Sequence, residues 1–242
     1  MANFNGFSAA STLTSFTVAG AAVGLMAAVG LPVSASAASP SESAAQYREL
    51  GLQYRQAEQF PEAIAALQKA VELDSDHLPG QVSLGWTQHL ANQDRAAAMT
   101  LQTTLQQDPF HVPALNALGI VYLVNEDLLG AVLTHSWAAW LAPDNEIAYY
   151  NLSLAWQRLE HYDWAIDAAQ QAAQLEPDNP HPLVALSIIQ WEQGNQPLAQ
   201  QTYRQAMDLD LRYAEANFLD FLNQAGFNAE QIQTAKQVLQ SL

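Results

Sequence analysis

Six histidines and no cysteine are the side chains with which this 242-residue chain could do chemistry. Asp74-Ser75-Asp76-His77 and Asp108-Pro109-Phe110-His111 each set carboxylates beside an imidazole, a donor set that suits a divalent cation. The two histidines lie 34 residues apart, however, and the same step continues to Asn145 and Asn179. A phase shared with two amides reads as a polar loop position rather than a ligand. His89, His135, His161 and His181 show no i, i+4 pairing with one another and no Glu-x-x-His arrangement. The chain also lacks a serine nucleophile elbow, a phosphate-cradling glycine loop and a dinucleotide fingerprint. With no thiol there is no disulfide, cysteine nucleophile or cysteine zinc site. The expectation is a non-enzymatic protein with no catalytic residue, metal or cofactor.

The step of 34 is the organising feature. Residues 112–145 read as two amphipathic helices joined by the polar turn 125–127, with Leu115, Leu118 and Tyr122 on one face. Pro113 opens the first helix and Ala142-Pro143 closes the second. Such a pair cannot bury its apolar face alone, and copies flank it. Gly119 repeats as Gly51, Gly85, Ser153 and Ser187; its preceding leucine repeats as Leu50, Leu84, Leu152 and Leu186. Ala131 repeats as Ala63, Ala97, Ala165 and Ala199. Repeat 2 departs at Gln88 and repeat 5 at Gln190, where Tyr122 stands in the best copy.

A leucine–small pair, an aromatic three residues later, two alanines and a proline on a 34-residue helix–turn–helix period resemble the tetratricopeptide repeat (TPR). The repeats span 44–77, 78–111, 112–145, 146–179 and 180–213, about 170 of the 242 residues. The implied fold is all-α, a right-handed α-solenoid of TPR repeats. After 213 the period fails. Residues 214–224 and 229–242 are expected as a C-terminal capping helix pair. Gly226 lies between them, Asn228 is the N-cap, and Gln231, Gln233, Gln237 and Gln240 form a polar outer face.

In the TPR family the first helices line a concave groove that holds ligands. Carried over residue by residue, the resemblance makes the partner-binding groove Val82, Trp86, His89, Asn116, Ile120, Tyr150, Asn151, Leu154, Gln157, Ile188 and Trp191, with Arg48 basic at the first repeat. The family's carboxylate clamp is absent in this register. Asn151 fits one clamp position, but Ile120, His181 and Ala185 replace the others. The groove is mostly apolar and aromatic, which suits an apolar or amphipathic protein segment with aromatic anchors.

A formal net charge of −16 with only eight Lys and Arg argues against nucleic acid and against docking on anionic lipid heads. Residues 1–37 differ in kind, with no charged side chain before Glu42. Phe16 to Val33 is an 18-residue apolar run, roughly 27 Å if helical, followed by Ala35-x-Ala37 and a Ser/Pro linker over 38–43. Two readings stand: an export signal cleaved near Ala37, or a retained anchor giving membrane contact. The sequence therefore predicts a protein–protein interaction scaffold, exported or membrane-anchored. The alternatives are a membrane-anchored assembly factor for a membrane complex and a self-associating structural protein, with the oligomeric state open. Intact mass of the protein from its own cells separates the locations. A soluble species starting near Ala38 is expected for export, and a full-length species in the membrane fraction would reject it.

Overall fold

The computed structural model describes residues 39–242, so the segment 1–37 lies outside the described residues. The first repeat is α1 (Pro40–Gln56) and α2 (Phe60–Leu73), the second α3 (Leu78–Leu90) and α4 (Asp94–Gln107), the third α5 (Val112–Val124) and α6 (Leu128–Leu141). The fourth is α7 (Glu146–Arg158) and α8 (Tyr162–Leu175), the fifth α9 (Pro180–Glu192) and α10 (Gln196–Leu209). No strand occurs among the described residues, and each helix packs on its sequence neighbours as a solenoid of helix pairs. None of these helices is long and apolar enough to cross a membrane.

The expected linker over 38–43 is helical from Pro40. Ser39 and Glu42 form a reciprocal capping box with Pro40 in the first turn, so α1 begins before the repeat frame does. Inside the frame, the repeat-end residues are N-caps. His77 and His111 each accept a backbone N–H through Nδ1, from Gly80 and Ala114, and Asn145 and Asn179 do the same through Oδ1 for α7 and α9. Within every repeat the chain turns over one left-handed residue: Glu58, Asn92, Glu126, Glu160 and Gly194.

Each pair closes where a small residue of the first helix meets a side chain of the second. A Cβ at Gly51 would lie 2.6 Å from Leu67 Cγ, and one at Gly85 2.7 Å from Leu101 Cγ. At Gly119 the facing group is the His135 ring, which lies closer still. The two departures from the repeat pattern have polar partners. Buried Gln88 accepts from Thr100 and buried Gln190 from Thr202, each at 2.8 Å.

His135 has no such compensation. It is fully buried and neither ring nitrogen has a hydrogen-bond partner among the described residues. Burial pushes its imidazole down to about 3, so the ring is neutral in the folded chain. Between that value and the ordinary 6.5 the unfolded chain takes up a proton that the folded chain refuses. Stability owed to this group is complete above the ordinary value and falls as the pH falls, by about 2 kcal/mol between pH 7.5 and 5. Leu67 and Leu101 fill the equivalent positions, so His135→Leu fits the site. It is expected to stabilise the chain by about 1–3 kcal/mol at neutral pH and to flatten the acid loss relative to wild type. Urea unfolding of both proteins at the two pH values checks this.

Candidate functional site

The first helices α3, α5, α7 and α9 form one face, and the C-terminal segment lies on it. The first capping helix, expected over 214–224, is a 3₁₀ helix at Phe218–Ala225, preceded by a 3₁₀ turn at Leu211–Ala214 and ended by Gly226 at φ +85°. Asn228 then caps α11 (Ala229–Gln240) with a capping box to Gln231. Leu219, Leu222, Phe227, Ile232, Ala235 and Val238 are buried in the same core as Leu123, Leu154 and Ile188. The segment therefore reaches back as far as the third repeat. Its apolar side chains decide where it goes, and Gln233, Gln237 and Gln240 stay exposed on the outer side.

Polar groups fix the register of this contact. Tyr150 donates its hydroxyl to the Ala225 carbonyl at 2.5 Å, and its ring lies 6.1 Å from that of Phe227. The Arg158 side chain, 5% exposed, donates to the carbonyls of Leu123 and Gly226 and through two nitrogens to Gln231 Oε1. Gln231 Nε2 donates to Gln157 Oε1, and Gln157 Nε2 donates to both carboxylate oxygens of Glu192. Burial lowers the Arg158 pKa and raises that of Glu192. Every polar atom in this chain of contacts has a partner, which is the condition for burying it. Gln231, expected on the outer face, is 2% exposed because Arg158 and Gln157 meet it.

The predicted groove residues thus divide into two sets. Tyr150, Asn151, Leu154, Gln157, Ile188 and Trp191 lie in or against the region where the C-terminal segment packs; a Cβ on Gly226 would be 3.5 Å from Leu154 and 3.8 Å from Asn151. Ile188 is core, and Val82, outside both sets, is core too, in a cluster with Leu101, Ala114 and Leu118. The second set is Trp86, His89, Asn116 and Ile120, all half-buried. Trp86 packs its ring 5.1 Å from that of His89, whose Nδ1 is 2.6 Å from Asp94 Oδ1. Asn116 and Asn145 exchange two amide hydrogen bonds. Between α1 and α3 a hollow of about 320 Å³ is lined by Arg48, Glu49, Leu52, His77 and Ser83 among others; Arg48 is tied to Asp74 at 3.0 Å. Sequence reasoning missed Arg158 and Phe227. Among the described residues, no three His, Asp or Glu side chains gather as a metal site would need.

Tetratricopeptide-repeat models match residues 147–179 and 49–77. Among solved structures, PilF of Pseudomonas aeruginosa superposes with a TM-score of 0.66. It has 18% identity and covers 82% of this chain and 90% of that one. MamA from residue 41 onward of Desulfovibrio magneticus RS-1 gives 0.64, with 21% identity over 70% of this chain and 96% of that one. A further MamA structure gives 0.62 at 21% identity, covering 72% and 95%. At these identities the likeness is one of fold. No curated protein matches the chain.

Phe227→Ala empties the pocket beside Tyr150 and is expected to cost about 3 kcal/mol locally. Because solenoid stability is a sum of neighbour terms, the loss stays in the C-terminal part. Hydrogen exchange should show faster amides in 218–240 with α1–α4 unchanged. Equal acceleration in both regions would contradict the assignment.

Proposed function

We propose, from the premise that the chain is a tetratricopeptide-repeat protein, that it is a non-enzymatic protein–protein interaction scaffold holding a partner segment on its first-helix face. The observation that carries this is the intramolecular one. Repeats 3–5 already hold a chain segment, by an aromatic anchor and by donors to its backbone carbonyls. Carbonyl recognition reads the presence of a chain more than its side chains, so this mode transfers to segments of other sequence. The partner segment runs over the hollow between α1 and α3 and the neighbouring His89, Asn116, Ile120 and Trp86. An amphipathic segment fits there, since Leu52, Trp86 and Ile120 give apolar contact while Arg48, Glu49, His77, Ser83 and Asn116 give polar contact. The fate of residues 16–33 sets the compartment, and retention as an anchor favours assembly of a membrane complex.

A photoactivatable cross-linker in place of Ser83, in the full chain in its own cells, tests the reading. A discrete protein adduct is expected from position 83 and not from Gln170, which is exposed on α8. Trp86→Ala should reduce the adduct about tenfold or more, the loss expected for an anchor worth more than 1.4 kcal/mol. No adduct at 83, or one indifferent to Trp86, would overturn the proposal.

A further inference from the structure

Helix α6 carries no charged side chain, and its imidazole, His135, is buried and neutral. Its outward face is apolar along the whole length: Leu129 is 66% exposed, Leu133 72%, Trp137 41% and Trp140 69%, at steps that keep them on one side. Phe110, 59% exposed, extends the face from the loop after α4. The three rings stack in series, Phe110 to Trp137 at 6.1 Å and Trp137 to Trp140 at 5.1 Å. Trp137 donates its indole N–H to the Pro109 carbonyl at 3.1 Å, so its polar group is satisfied within the chain. The result is a continuous ridge on the order of 600 Å², at the top of what a monomeric soluble protein exposes.

We infer that a second copy of this chain covers the ridge, the two α6 faces meeting about a two-fold axis. Charge narrows the choice. No Lys or Arg occurs between Arg95 and Arg158, and the charged residues nearest Phe110 and α6 in the chain, Asp108, Glu126, Asp127 and Asp144, are all acidic. That sign disfavours anionic lipid heads, and the ridge itself carries no charge for a partner to pair with. What the ridge offers is apolar contact, and the chain itself supplies a matching surface. A two-fold contact needs only a self-complementary patch. Two ridges bury on the order of 1,200 Å² in total, the lower edge of specific interfaces, with stacked tryptophans as anchors. The charge of −16 on each copy opposes the approach, so salt tightens this dimer where it would loosen a charge-held one.

The absence of cysteine makes the test clean. Ser136→Cys places one thiol on the exposed face of α6, and Gln237→Cys places one on the exposed side of α11. Each full-length variant is oxidised with copper–phenanthroline and run without reductant. The expected result is a disulfide dimer from the variant at 136 and not from that at 237, increasing between about 0.05 and 0.5 M salt as screening shortens. Adding Leu133→Glu and Trp140→Glu should cut the dimer at least about tenfold with the helical circular dichroism unchanged. Leu129→Gln with Leu133→Gln is the milder second disruption. A monomer at position 136, equal dimer at both positions, or indifference to both disruptions would overturn the inference. A monomer whose tryptophan emission shifts blue on neutral phosphatidylcholine vesicles would assign the ridge to lipid instead.

Discussion

The structure depends on how closely two helices of one repeat can approach. At Gly51, Gly85 and Gly119 the first helix presents bare backbone to Leu67, Leu101 and His135 of the second. One methyl at any of these positions would sit inside the facing side chain, so the spacing of each pair is fixed there. Ser153 and Ser187 keep the approach close in the fourth and fifth repeats by turning their hydroxyls back onto their own helix, to Tyr150 O and Val184 O. With the pair spacing set, the buried apolar residues that remain on each pair face the next pair. The repeat thus specifies its own neighbours, and the first-helix face follows from stacking.

That face is apolar enough to need cover, and over repeats 3–5 the chain covers it itself. Arg158 is the group that makes this contact specific. A buried cation is costly unless each donor finds an acceptor, and three of its acceptors are Leu123 O, Gly226 O and Gln231 Oε1. Two of these belong to the C-terminal segment, so the guanidinium and the segment each complete the other. The C-terminal segment thus packs on the part of the face that carries Tyr150, Leu154 and Arg158.

How much of this was legible in the sequence varies with the range of the interaction. The helix pairs and their small contact residue (Gly51, Gly85, Gly119, Ser153, Ser187) recur five times at a step of 34, and the loop position of His77 and His111 continues in Asn145 and Asn179, so a single chain displays each several times. The left-handed turn residue also recurs, at 58, 92, 126, 160 and 194, but it is Glu in three repeats and Gly in only one, and Glu does not announce positive φ. The capping box at Ser39 and Glu42 was in plain view but fell outside the repeat frame. Arg158 to Gln231 spans 73 residues with no periodic echo, and the glutamines of α11 look alike until one of them meets a buried cation. The residues expected in the groove lie on α3, α5, α7 and α9, and which of them are covered depends on a segment whose course nothing local encodes.

The return of the C-terminal segment also has a temporal side. During synthesis the repeats leave the ribosome first and can pack pairwise as they emerge, since each needs only its neighbour. Leu154, Ile188 and the Arg158 guanidinium stay uncovered until residues 218–240 have followed. For that interval the growing chain displays an apolar, cation-bearing cleft that the finished protein hides. A chaperone that recognises unfinished chains would find its signal in that cleft, and the docking of Phe227 would be what ends it.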